Sequence, residues 1–248
     1  MEFNVQRDGL TLAGIYEPAT QPNGTIAILM HGFTGNRGYA PTSLLNQLAN
    51  RLRTVGISTV RFDFNGHGQS DGDFVHMTVL NEIADAQAVL TAVHHRLEPK
   101  HIDLLGHSQG GVVASMLAGY YPDWIHRLVL LAPAATLKTD ALAGQTRGLV
   151  YDPDHIPEKL PLDTTRVLGG FYLRTAQALP IYETAQRFTG PVCLIHGTND
   201  QVVSDTATKR YHASYSQSDL HLIPGASHGL DGAARQSVLA LTTKFLLE

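Results

Sequence analysis

The chain has 248 residues, 43% of them hydrophobic and 16% charged, with a formal net charge of −4. That length accommodates one large α/β domain or two small ones, and the acidic balance offers no basic face for nucleic acid or an anionic membrane. No apolar segment reaches the ~20 residues needed to span a bilayer. The opening "MEFNVQRDGL" is charged and lacks the apolar stretch of a signal peptide. The one cysteine, Cys193, lies in "PVCLIHG" and reads as a buried strand residue, with no metal or redox motif around it. A reducing, cytoplasmic setting is expected. Monomer and homodimer both remain open.

In chain order, "EFNVQ" and "LTLAGIYEP" flank "RDG", a hairpin signal. "TIAILM" reads as a buried strand. "PTSLLNQLANRLRTVG" has apolar residues three and four apart and predicts an amphipathic helix. "ISTVRFDF" is the next strand, and "TVLNEIADAQAVLTAVHHRL" is a long helix stopped by Pro99. "HIDLLG", "QGGVVASMLAGYY" and "IHRLVLLAP" read as strand, helix and strand. After a long interruption come the strand "PVCLIHG", a helix from about Asp205, the strand "DLHLIPG" and a last helix from about Asp231. This alternation predicts an α/β fold, a mostly parallel twisted sheet with helices on both faces. Residues 134–189 break the alternation and are rich in Pro, Gly and Thr. They are far too long for a simple connection of about 2–6 residues. The expectation is a single domain over 1–248 with an inserted cap subdomain at 134–189.

The stretch "LLGHSQGGVVAS" places Gly-x-Ser-x-Gly between a predicted strand and a predicted helix. The pattern alone is common, but that setting is what a nucleophile elbow requires. Ser108 would sit in a strained turn, with Gly106 and Gly110 small enough to let strand and helix approach. The competing reading of Ser108 is a plain helix N-cap. A serine nucleophile needs a base and an acid. In an elbow fold these follow the serine in the order acid, then histidine, on loops after strands. Of the 13 histidines, His228 in "IPGASHGLDG" meets those conditions. His196, inside "LIHG", precedes any suitable acid and is set aside. Asp200 in "HGTND" follows a strand and is the candidate acid, which would hold the imidazole tautomer. Asp205, Asp219 and Asp231 are placed less well. The oxyanion donors are expected at the backbone N–H groups of Gln109 and of Phe33 in "HGFTG". "DFNGHGQSDG" reads as turn chemistry, which makes His67 and Ser70 decoys. No metal or organic cofactor is implied.

Taken together, "HGFTG", "DFNGHGQSDG", "GHSQGG", "HGTND" and "GASHG" resemble the α/β-hydrolase superfamily in content and order. Within the insert, "APAATLKTDAL", "YDPDHIPEKLP", "LGGFYLR" and "LPIYETAQRFTGPVCLIHGTND" look like the bacterial cinnamoyl or feruloyl esterases. The resemblance implies an α/β-hydrolase fold and a serine carboxylesterase acting on hydroxycinnamate esters, with a small aromatic ester as its partner. It further implies that a cap acid and a cap tyrosine, here Asp140 and Tyr172, bind the phenolic end. Gly229-Leu230 stand where that family carries bulkier residues, implying a different pocket floor. The alternatives are a short-chain carboxylesterase, thioesterase or monoacylglycerol lipase of the same fold, or a ligand-binding protein without catalysis.

Overall fold

The computed structural model describes all residues from 1 to 248. At the amino terminus β1 (Val5–Arg7) and β2 (Leu10–Leu12) pair antiparallel. The turn between them is Asp8-Gly9, with φ of 49° and 80°, the left-handed pair that a two-residue hairpin needs. Then follow β3 (Gly14–Glu17), β4 (Thr25–Met30), α1 (Leu44–Thr54), β5 (Ser58–Phe62), α2 (Val79–Leu97), β6 (His101–His107), α3 (Gln109–Tyr120) and β7 (Arg127–Leu131). After the insert come β12 (Val192–Gly197), α7 (Thr206–Ser214), β13 (Ser218–Ile223) and α8 (Ala234–Leu247).

β3, β4, β5, β6, β7, β12 and β13 form one sheet in the order β13-β12-β7-β6-β4-β5-β3. Every neighbouring pair is parallel except β3 with β5 at the edge. The chain leaves β4 toward β5 on one side and returns as β6 on the other. The carboxyl ends of β4 and β6 therefore flank a reversal of strand order, where open α/β sheets form their binding crevice. β4 is buried along its whole length. Its side chains alternate between two cores: Ile26, Ile28 and Met30 join a cluster of 43 buried residues, and Ala27 and Leu29 join one of 19. α2, α3 and α7 cover the first face; α1 and α8 cover the second.

The helix boundaries have local causes. Ser43 caps α1 through the N–H of Asn46, and Leu44, Leu45, Leu48 and Leu52 make its buried stripe. Thr78 and Asn81 form a reciprocal capping box at the start of α2. Glu98, at φ 44°, ends α2 one residue before Pro99. α3 has no exposed face over Gln109–Gly119, as befits the helix against the sheet centre.

The segment 134–189 lacked any readable period, and its elements are short. They are α4 (Leu137–Leu142), the pair β8 (Gln145–Thr146) and β9 (Leu149–Val150), the pair β10 (Lys159–Pro161) and β11 (Val167–Gly169), α5 (Gly170–Ala178) and α6 (Ile181–Ala185). Leu160, Leu168, Leu173 and Ile181 join the larger core cluster, so this segment shares its core with the sheet. No helix of the chain is long and apolar enough to cross a membrane.

α6 lies against α3 at Gly119, where an added Cβ would stand 2.0 Å from the carbonyl oxygen of Thr184. Gly to Ala inside a helix ordinarily gains about 1 kcal/mol. Here the backbone contact reverses the sign. Gly119→Ala is expected to destabilise the fold by about 1–3 kcal/mol, read as a lower urea midpoint at unchanged slope.

Candidate active site

β6 ends at His107, and the chain turns sharply into α3 at Ser108. Ser108 has φ 56° and ψ −122°, makes no side-chain cap bond, and is nearly buried. The N-cap alternative therefore fails on its own criterion: the hydroxyl is not used to satisfy the helix. Strand and helix come so close that a Cβ on Gly106 would lie 2.1 Å from the carbonyl oxygen of Gly110. Small residues on either side of Ser108 are thus a steric requirement.

The other candidate groups arrive from neighbouring strand ends. His228 follows β13, and its Nε2 lies 2.9 Å from Ser108 Oγ. Asp200 follows β12, and its Oδ2 lies 2.7 Å from His228 Nδ1. A carboxylate can only accept, so Nδ1 carries the proton and Nε2 faces the serine O–H as an acceptor. Oδ1 of Asp200 accepts the backbone N–H groups of Val202 and Val203 at 2.8 and 2.9 Å. Burial opposes the charge on Asp200. The hydrogen bonds from His196, His228 and these two N–H groups outweigh burial and hold the carboxyl well below the usual carboxylate range. The arrangement can move a proton from Ser108 to His228 while Asp200 stays anionic.

The β4 loop supplies the opposite wall. A Cβ on Gly32 would stand 2.8 Å from Ser108 Cβ, so only glycine lets this loop reach the serine. The backbone N–H groups of Phe33 and Gln109 have no acceptor within the protein, and both residues line a cavity with Ser108. They are free to bind an oxyanion.

Two residues in the site were set aside or passed over in the sequence. His196 is fully buried, with Nε2 3.1 Å from Asp200 Oδ2. His107, inside the elbow motif, bonds through Nε2 to the carbonyl oxygen of His228 at 2.9 Å. Burial lowers the His107 pKa to about 4, so the ring is neutral at physiological pH. The elbow pattern marks position 107 only as variable, and the order rule for acid and base discards His196, so neither role had a sequence signal.

The cavity is about 490 Å³, within the range of small-ligand sites. Its lining includes Leu137, Asp140, Leu149 and Tyr172 from the insert. Asp140 is partly buried, which raises its pKa. The Tyr172 hydroxyl donates to Gln109 Oε1 at 2.7 Å, and Gln109 Nε2 donates to Glu82 Oε2 at 2.7 Å. Tyr172 therefore stands on the cavity wall with its proton already committed, which leaves the oxygen able to accept only. Arg147 stands over the Phe33 ring at 5.6 Å. Leu230 is buried in the second core, so its side chain does not form the pocket floor. His67 and Ser70 lie outside the cavity. Ser70 Oγ donates to the Asp63 carbonyl and accepts from the Ala13 N–H.

The family described as serine aminopeptidase, S33, matches residues 21–153, more than half of the chain. The chain belongs to that family. It is a serine hydrolase of the α/β-hydrolase fold. It is similar to Est1E from Butyrivibrio proteoclasticus solved with ferulic acid bound, at 30% identity and TM-score 0.93 over 99% of this chain and 98% of that one. A second Est1E structure matches at 27% identity and TM-score 0.88, covering 99% and 97%. A monoacylglycerol lipase of Mycolicibacterium smegmatis is 24% identical over 91% of this chain and 88% of its own length.

Replacing Gly32 should separate the loop from the serine without emptying the cavity. Gly32→Ala is expected to lower kcat for an activated ester by about 100-fold, the scale of one lost oxyanion donor, with KM little changed. Steady-state kinetics on 4-nitrophenyl butyrate checks this.

Proposed function

We propose that this chain is a serine carboxylesterase that hydrolyses hydroxycinnamate esters through an acyl-enzyme. The observation that carries the reading is a single cavity joining Ser108 to Asp140 and Tyr172. In this reading Ser108 attacks the ester carbonyl as His228 takes its proton. The N–H groups of Phe33 and Gln109 hold the oxyanion. His228 then protonates the leaving alcohol, and water releases the acid by the same steps in reverse. No metal or organic cofactor enters the cycle.

Substrate choice falls to the insert. An aromatic acid with a ring hydroxyl suits apolar walls with a few placed polar groups, and Leu137, Leu149, Phe33 and Asp140 offer that mixture. The phenolic O–H has two acceptors, the Asp140 carboxylate and the Tyr172 oxygen. The likeness to Est1E with its ferulic acid supports the same class of acyl group. The relative named monoacylglycerol lipase favours a second reading, an enzyme for aliphatic acyl glycerols. The acyl chain of such a substrate has no hydroxyl to give Asp140.

Comparing kcat/KM for methyl ferulate, 4-nitrophenyl butyrate and a monoacylglycerol decides between these readings. Methyl ferulate is expected to lead; a clear lead for the monoacylglycerol overturns the first reading in favour of the second. Ser108→Ala should lower kcat by about 10⁶-fold on any of them, and substantial residual turnover would move the nucleophile elsewhere. Asp140→Asn should raise KM for methyl ferulate about tenfold or more, the scale of one hydrogen bond to a charged group, while KM for 4-nitrophenyl butyrate stays nearly constant. Equal effects on both esters would remove Asp140 from phenol recognition.

A further inference from the structure

Asp200 faces two imidazoles, and only His228 has a part in the cycle described above. His196, at the end of β12, is entirely buried. Its Nε2 lies 3.1 Å from Asp200 Oδ2 and 3.0 Å from the carbonyl oxygen of Val203. Both are acceptors, so Nε2 must carry the proton. Its Nδ1 lies 2.6 Å from Thr208 Oγ1 of α7, which is also fully buried. With Nδ1 unprotonated, the Thr208 hydroxyl donates to it. The two acceptors at Nε2 thus fix the tautomer: the single Nε2–H bonds to the Val203 carbonyl oxygen and faces the Asp200 carboxylate beside it, and the Thr208 hydroxyl completes the ring's partners by donating to Nδ1.

We propose that His196, with Nε2–H directed at the Val203 carbonyl and the Asp200 carboxylate and Nδ1 satisfied by Thr208, positions Asp200 and limits its basicity, and so sets the pH at which His228 becomes a working base. The proposal rests on reading Ser108, His228 and Asp200 as the catalytic groups. The sign follows from charge. The Asp200 carboxylate stabilises the His228 imidazolium. A donor from His196 draws part of that negative charge away from His228. Removing the donor strengthens the attraction and keeps His228 protonated to higher pH. The acid limb of kcat/KM then moves upward.

Other polar and charged groups near the pair stay constant in such a comparison. His107 of β6 bonds to the His228 carbonyl oxygen. Arg235 of α8 bonds to the carbonyl oxygens of Leu230 and Gly229. Asp231 bonds to Ser227 Oγ. On α7, Lys209 is paired with Asp205.

The test is the pH dependence of kcat/KM on 4-nitrophenyl acetate, an ester that needs no recognition of a phenol-bearing acid. In His196→Leu the acid limb should rise by about half a pH unit or more, and the plateau should fall about tenfold. His196→Gln places an amide N–H near the position of Nε2 and should return the limb toward the wild type. Thr208→Val keeps the volume of the side chain, leaves Nδ1 without its hydrogen bond and so loosens the ring against Asp200, and should move the limb in the same direction by a smaller step. A limb that stays at its wild-type position in every one of these variants that folds overturns the proposal, however far the plateau falls. Full activity in Ser108→Ala would instead overturn the underlying reading of the site, wherever the limb lies.

Discussion

The site depends on one backbone turn, the left-handed conformation forced on Ser108 between β6 and α3. A non-glycine residue in such a conformation costs on the order of 1–3 kcal/mol and persists only where its surroundings hold it. Here three backbone bonds do so. The Ser108 N–H donates to Leu131 at 2.9 Å, and its carbonyl oxygen accepts the N–H groups of Gly111 and Ala134 at 2.9 and 3.0 Å. Those partners belong to the neighbouring strand, the following helix and the first residue of the insert. The turn is therefore locked by the elements whose relative positions define the cavity. Its effect is to lift Oγ out of the helix and to aim the Gln109 N–H beside it.

The polar groups around that turn are arranged so that few are left to adjust during a reaction. Asp200 receives donors on both oxygens, and His228 is held from behind through His107. Gln109 is fixed at both ends of its amide, by Tyr172 from α5 and by Glu82 from α2. Burial raises the Glu82 carboxyl well above its ordinary range, with Gln109 pulling in the opposite direction. Fixing the Gln109 side chain also fixes the backbone N–H that would hold the oxyanion. Donors set in place before the reaction cost no reorganisation when charge develops.

Much of this was legible in the sequence, for identifiable reasons. β4 (TIAILM) and β7 (RLVLL) are nearly continuous apolar runs because both faces are covered, and such runs stand out. Ser108, Asp200 and His228 follow strands in the chain order that an elbow fold demands, so position alone selects them. The unread parts are contacts between residues far apart in the chain. Tyr172 and Gln109 are separated by 63 positions, and nothing local to either predicts that the hydroxyl of one ends on the amide of the other. The chain-order rule that excludes His196 applies to the base and is silent about other groups facing the acid. The insert gave no period because its strands have two or three residues each, too few to display alternation.

The architecture divides chemistry from selectivity, with one link between them. The groups that would do the chemistry stand on loops after β4, β6, β12 and β13, whose relative positions are fixed by a buried sheet. The proposed recognition groups stand on α4 and α5, helices of six and nine residues within the insert. On the proposed reading, changes in α4, such as at Asp140, would alter the acyl group accepted without moving a strand end. Tyr172 is the exception, since its hydroxyl binds Gln109 directly. On the proposed reading, Tyr172 both bounds the acyl pocket and steadies an oxyanion donor. Substitutions there would change selectivity and rate together, which makes α5 the more constrained side of the cavity and α4 the freer one.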